Sequence, residues 1–283
     1  MARAVPRPAL AGQCRSLLVL AGQSASLPAL ACASLLALAA CATEPPAPPA
    51  PAPAPPAPTA APPPVYVPPI VAPRRLALCE RGVVNSASDG RLFNHLPYTP
   101  VSDTALVSAP PQLSPDGSCK VHPAMLADLS RMLAAAGSDP LVAGQIRAVS
   151  CHRSYQLQNA TFCGGINADE SGSFAERAWA SAPPGYSEHA TGYVVDFGTR
   201  SPNGCPDAEA CFGTTPVGKW LFANAAKFGF ELSFPAGNAQ KVKWEPWHWR
   251  WVGATATTPG AAAARGVFAQ ARTRFPATPR VEQ

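Results

Sequence analysis

Two short stretches of the chain concentrate side chains able to hold a metal: Tyr186 to Gly198 (YSEHATGYVVDFG) and Lys243 to Gly253 (KWEPWHWRWVG). They offer two histidines, His189 and His248, and two acids, Asp196 and Glu245, among glycine and aromatic residues. A zinc ion that performs hydrolysis takes three protein ligands of the His or carboxylate type. It keeps a fourth position for water and works with a further base that does not ligate it. These four groups fill that count around one ion. Singly, each has a blander use: a lone histidine is more often a satisfied structural group, and Asp196 could cap a turn. The four together point to metal-assisted hydrolysis.

The elements that must position them can be read around the two stretches. Tyr193 to Phe197 is rich in β-formers and Gly192 breaks the chain before it, which places Asp196 on a strand and His189 on the turn that leads in. Trp247, Trp249 and Trp251 alternate with His248, Arg250 and Val252, a strand period, and Pro246 discourages a helix through Glu245. His248 therefore points away from the tryptophan face, whose rings form core or the wall of a substrate groove. This is not the helical H-E-x-x-H arrangement.

Elsewhere, Gln145 to Ser150 reads as a short strand that delivers the chain into Cys151 to Gln158 (CHRSYQLQ). From Pro123 to Ala136, Met125, Leu126, Leu129, Met132 and Leu133 recur at helical spacing, with Pro123 in the first turn and Gly137 at the stop. Thr214 or Thr215 caps a second helix that starts at Pro216 and ends at Gly229. Phe230, Leu232 and Phe234 alternate as a half-buried strand, and Leu76 to Cys79 is a candidate edge strand. Short strands mixed with separate helices predict an α+β domain on a small antiparallel sheet.

The segment Ser187 to Asp196 (SEHATGYVVD) resembles the S-x-H-x-x-G-x-A-x-D motif of the LAS zinc peptidases. Glu245 to Arg250 (EPWHWR) resembles their E-x-W-H segment, and Cys151 to Gln158 is similar to their Y-R-S-x-x-x-Q stretch. The three lie in the family order, over roughly Asn94 to Gly253, and the resemblance extends to the VanY-type D-alanyl-D-alanine carboxypeptidases. It implies a hedgehog/D-Ala-D-Ala peptidase-like zinc domain in which His189, Asp196 and His248 bind one zinc ion, Glu245 is the general base and Arg153 steadies negative charge. It also implies substrate contacts at Ser154, Gln158, Ser187 and Trp247, with Gln158 on the terminal carboxylate and Ser187 orienting His189 or touching substrate. The sequence departs from the pattern at Val194, where a small Ala is usual, and at Cys151 and His152, where Gly and Tyr are common. His152 reads as a loop residue beside a cysteine.

The remainder of the chain says where such a domain works. Arg3, Arg7 and Arg15 precede an apolar run from Leu27 to Ala40, which reads as a secretory signal over residues 1–40. Leu38-Ala39-Ala40-Cys41 resembles a bacterial lipobox, with Cys41 as the lipidated residue. A Pro/Ala stretch follows to Pro73; in extended polyproline form its thirty or so residues reach roughly 90 Å, so residues 41–73 make a tether. Residues 74–283 are left for one zinc peptidase domain. The formal charge is +5 and the basic residues are scattered among acids, which argues against nucleic acid as partner. Of the nine cysteines, six remain after the signal and Cys41: Cys79, Cys119, Cys151, Cys163, Cys205 and Cys211. An even number in an exported chain with no C-x-x-C pair predicts disulfides, and short loop closure favours Cys151 with Cys163 and Cys205 with Cys211, leaving Cys79 for Cys119.

The reading is a lipid-anchored envelope enzyme that trims the terminal D-alanine from peptidoglycan stem peptides. An L,D-carboxypeptidase or a peptidoglycan endopeptidase would use the same ligand set, and a non-catalytic zinc-stabilised wall-binding lipoprotein is the rival from another class.

Overall fold

The computed structural model describes residues 72–167 and 171–282. The expected signal, Cys41 and all but the end of the tether lie outside the described residues. Among the described residues no helix is long and apolar enough to cross a membrane.

Strands β1 (Arg75–Leu78) and β2 (Gly82–Asn85) form an antiparallel hairpin, and β3 (Val107–Ser108) pairs with β4 (Lys120–Val121). A 3-10 turn, Pro123–Met125, then leads into α1 (Leu126–Gly137), as the spacing predicts. Leu129, Met132 and Ala136 share the buried face of α1. Asp128 is buried with them, its Oδ2 accepting from Trp251 Nε1 at 2.9 Å and from Ala254 N at 3.2 Å. A buried carboxylate is tolerable when N–H groups converge on it in this way.

Next come β5 (Ile146–Ser150), α2 (Tyr155–Gly164), α3 (Phe174–Ala180) and β6 (Val194–Thr199). Helix α4 (Pro216–Asn224) is capped by Thr215 Oγ1, which accepts from Gly218 N at 3.0 Å. It passes through a 3-10 turn into Gly229, whose φ of 83° is the left-handed stop read from the sequence. Then follow β7 (Phe230–Leu232), β8 (His248–Trp251), α5 (Ala261–Val267) and α6 (Ala269–Arg274).

The central sheet is antiparallel, in the order β5-β6-β8-β7. Its register sets Asp196 opposite His248, Val195 opposite Trp249 and Val194 opposite Arg250. Because side chains alternate along a strand, Asp196, His248 and Arg250 share one face while Val195, Trp249 and Trp251 share the other. Phe222 of α4 packs on Trp249 with ring centroids 5.9 Å apart, and on the opposite face the Arg250 guanidinium lies 5.4 Å from the Phe268 ring centre. Covered on both faces, β6 is buried along its whole length.

Two expectations are corrected. Strand β7 is fully buried rather than half-buried: Glu231 at its centre is matched by Arg250 Nε at 2.9 Å and Arg272 Nε at 3.1 Å, so its polar position does not mark a solvent face. Two of the three disulfides pair differently. The bonds are Cys79–Cys163, Cys119–Cys151 and Cys205–Cys211. The stretch between Cys151 and Cys163 is α2 rather than a loop, and from Tyr155 to Cys163 it advances ~12 Å, beyond the roughly 7 Å a disulfide can bridge. The helix delivers Cys163 to the β1–β2 turn at Cys79 and leaves Cys151 for Cys119.

Candidate active site

The three ligand candidates come together from two places. Cross-strand pairing of β6 with β8 brings Asp196 to His248. His189 sits on the 3-10 turn Glu188–Thr191, whose start is capped by Ser187 Oγ accepting from His189 N at 3.3 Å. The turn ends at Gly192, with φ 74°, where a Cβ would stand 2.7 Å from Leu106; glycine alone suits both the conformation and the space.

One ligating atom from each of His189, Asp196 and His248 lies within 4.8 Å of the others. His189 Nε2 is 3.1 Å from Asp196 Oδ2, and His248 Nδ1 is 3.0 Å from Asp196 Oδ1. Each imidazole has its other nitrogen engaged outside the cluster. His189 Nδ1 is 2.6 Å from the Cys151 carbonyl, and His248 Nε2 is 3.0 Å from Glu188 Oε2. Donation of N–H to those two acceptors turns the lone pairs of His189 Nε2 and His248 Nδ1 toward the carboxylate. Lone pairs facing one another at such distances require a positive charge among them. His189 Nε2 and Asp196 Oδ1 are buried and make no hydrogen bond. Two imidazoles, one carboxylate and an open side are the donor set of a catalytic zinc site, and these residues fit that ion.

Glu245 reaches the cluster from the turn before β8: His248 N donates to its carbonyl at 3.0 Å, and its Oε2 lies 3.6 Å from His248 Nδ1. Burial pushes the Glu245 carboxyl up to about 7, with the His248 charge opposing. Arg153 enters from the loop after β5, its Nη2 4.0 Å from Asp196 Oδ2 and its Nε unpartnered. Together with Ser187, Phe234, Lys243 and Trp247 these groups line a cavity of about 300 Å³. A larger open groove of about 670 Å³ along β5 contains none of the three ligands, but it meets the cavity at Arg153 and Thr161.

One wall of the cavity comes from the loop closed by Cys205–Cys211. Asp207 accepts from Arg147 Nη2 at 2.6 Å through both carboxylate oxygens, and Glu209 Oε2 is 3.5 Å from Lys243 Nζ. Lys243 Nζ in turn lies 5.3 Å from the centre of a Trp247 ring.

The remaining candidates are placed as follows. Trp247 is buried in the cavity wall. Ser187 acts as the cap just described. Ser154 caps α2, its Oγ accepting from Leu157 N at 3.2 Å. Gln158 donates from Nε2 to the Ala182 carbonyl at 2.6 Å and, like Ser154, lines a small neighbouring cavity rather than the metal pocket. His152 is largely buried, with Nδ1 3.6 Å from Asp103 Oδ1, and the structure does not bring it to the cluster.

Sequence reasoning missed Glu188 and Arg250. Burial alone would raise the Glu188 carboxyl, but the Arg250 charge and the hydrogen bond with His248 hold it well below the usual carboxylate range. A signal for Arg250 was present, since the alternation that turns His248 into the site turns Arg250 the same way. Glu188 occupies an unspecified motif position and carried no such signal.

Residues 118–254 match the family model of VanY, D-alanyl-D-alanine carboxypeptidase. The chain is 40% identical over 111 residues to YodJ of Bacillus subtilis (strain 168), which carries a carboxypeptidase designation; the match covers 38% of this chain and 39% of that protein. It is 37% identical over 73 residues to a D-alanyl-D-alanine carboxypeptidase of Enterococcus faecium, covering 25% of this chain and 22% of that one. The chain thus spans well under half the length of these curated relatives. Among solved structures, the LdcB LD-carboxypeptidase is similar at 28% identity and a TM-score of 0.47, over 62% of this chain and 77% of that one. VanYB, solved with D-alanine-D-alanine, is similar at 22% identity and a TM-score of 0.45, over 62% and 88%.

Proposed function

We propose, from the match of residues 118–254 to the family model of VanY, D-alanyl-D-alanine carboxypeptidase, that this protein is a zinc-dependent carboxypeptidase that removes the terminal D-alanine of peptidoglycan stem peptides. The observation that carries the reading is the convergence of His189, Asp196 and His248 within 4.8 Å, with the Glu245 carboxylate 3.6 Å from His248.

In this reading His189 Nε2, Asp196 and His248 Nδ1 would hold the metal. Zinc held there would supply Lewis-acid chemistry. Glu245 Oε2 would receive a proton from the attacking water and return it to the departing amine, the role of a general base placed beside the ligands without being one of them. The Arg153 guanidinium, with its unpartnered Nε, offsets negative charge on the reacting carbonyl oxygen or on the substrate's terminal carboxylate. Phe234 and Trp247 limit the water around these groups, which strengthens their electrostatic effect. A cavity of about 300 Å³ suits the end of a peptide. The free base Glu245 favours catalysis over a wall-binding role, which would need no such group.

In the same reading an export signal, lipidation at Cys41 and the Pro/Ala tether would anchor this activity to a bacterial membrane, facing the periplasm or cell wall. The test is incubation of the zinc-loaded protein with pentapeptide and tetrapeptide muropeptides, followed by mass spectrometry. Loss of D-alanine from the pentapeptide is expected. Loss from the tetrapeptide alone would make the enzyme an L,D-carboxypeptidase, cleavage within the stem would make it an endopeptidase, and no product from either would overturn the catalytic reading.

A further inference from the structure

Glu188 is an acceptor whose four places are all taken. Its Oε1 accepts from Arg250 Nη1 at 2.9 Å and from the Tyr98 hydroxyl at 3.1 Å. Its Oε2 accepts from the Ser233 hydroxyl at 2.6 Å and from His248 Nε2 at 3.0 Å. An ionised carboxylate can accept about four such bonds and donate none, so every neighbour is bound to be the donor. His248 must then carry a proton on Nε2 toward Glu188, which leaves Nδ1, 3.0 Å from Asp196 Oδ1, as the nitrogen that can ligate the metal.

The charge of Glu188 is itself held in place. Beyond it Arg250 donates from Nε to Glu231 Oε1 at 2.9 Å, Arg272 Nε reaches the same oxygen at 3.1 Å, and Val281 N donates to Glu231 Oε2 at 3.4 Å. Acid and base alternate along this buried line, so each charge has an opposite neighbour on the way from His248 to the chain's final residues. Arg272 and Val281 lie beyond residues 118–254, the segment that matches the family.

We infer that Glu188 is a positioning residue for metal binding: it fixes the tautomer and ring orientation of His248, and the Arg250–Glu231–Arg272 line extends that support into the C-terminal segment. Glu188 is adjacent to His189. One short 3-10 turn thus supplies one ligand and the group that orients another. This inference rests on the zinc reading above.

The test measures zinc affinity by competition with a chromophoric chelator, together with the visible spectrum of the cobalt(II)-loaded protein. It compares the unaltered protein with Glu188→Gln, and the melting temperature of each metal-free protein is recorded separately. Glu188→Gln is expected to bind zinc roughly 10- to 100-fold more weakly and to shift the cobalt bands, because Gln would turn an N–H₂ toward two of the four donors. A role confined to folding would lower the melting temperature while leaving affinity and spectrum unchanged, and that result overturns the inference. Failure of the unaltered protein to bind one zinc ion would count against the proposed function instead. Should Glu188→Gln not fold, Ser233→Ala keeps the charge and removes one donor from the oxygen that holds His248. It is expected to weaken zinc binding by roughly threefold to tenfold, the worth of one hydrogen bond, and an unchanged affinity overturns the inference equally.

Discussion

Asp196 and His248 are direct cross-strand partners on β6 and β8, and their side chains meet with His248 Nδ1 3.0 Å from Asp196 Oδ1. The sheet register therefore brings together two of the three candidate ligands. Asp196→Ala is expected to abolish stoichiometric zinc binding, since it removes one of the three candidate ligands. Zinc analysis of the purified variant checks this.

Glu245 touches the cluster without belonging to it. Glu245→Gln is expected to keep one zinc per chain and to lose turnover by roughly 10²- to 10⁴-fold, the usual contribution of a positioned general base. Metal content and release of D-alanine, measured on the same preparation, separate this from loss of the ion. Full activity in the variant would remove Glu245 from the mechanism.

Arg153 offers a planar fork beside Asp196 and Glu245. Arg153→Lys preserves the charge but not the fork, so a fall in kcat/KM with zinc content unchanged is expected. Steady-state kinetics on a pentapeptide substrate, alongside metal analysis, give the answer.

His95 is buried, and its Nε2 donates to the Ala178 carbonyl at 2.7 Å. Burial lowers its pKa from 6.5 to about 4, with the hydrogen bond to Ala178 opposing. The folded state thus favours neutral His95 while the unfolded chain takes up a proton near pH 6.5. Its contribution is complete above that pH and is lost progressively as pH falls toward 4, by ~3 kcal/mol in all. In His95→Gln the acid-side decline in unfolding free energy between pH 7 and 4 should be shallower by that amount, and parallel curves would refute the assignment.

Cys119–Cys151 joins the residue just before β4 to the loop after β5 across 32 residues of sequence, and Cys151 supplies the carbonyl that engages His189 Nδ1. The double variant Cys119→Ala, Cys151→Ala is expected to lose about 2–5 kcal/mol of stability and to bind zinc more weakly, because that acceptor is then less firmly placed. Peptide mapping without reductant should recover Cys79–Cys163, Cys119–Cys151 and Cys205–Cys211.

Much of the frame was legible where a period is strong. Leu129 and Met132 mark α1, Trp247 to Trp251 mark β8, and Thr215 with Gly229 bounds the helical run between them, because each of these signals is local. The ligand trio and Glu245 could be named because residue type and motif spacing specify them together. The rest depends on distant partners. Glu231 looked like a solvent-facing position until Arg250 and Arg272 were brought to it by other elements. Helices α5 and α6 draw on an alanine-rich stretch with few large apolar side chains, so no period stands out. The cysteine pairing followed the direction of α2, whose first turn, Tyr155-Gln156-Leu157-Gln158, leaves Tyr155 and Leu157 exposed and shows no apolar stripe.

The loop between Cys205 and Cys211 contributes a wall to the cavity while holding none of the zinc ligands, and Asp207 and Glu209 moor it to Arg147 and Lys243. Reactivity and reach are thereby assigned to different pieces of the chain. A lineage could lengthen, shorten or recharge this loop and so reshape the cavity, while the sheet that carries Asp196 and His248 is left untouched.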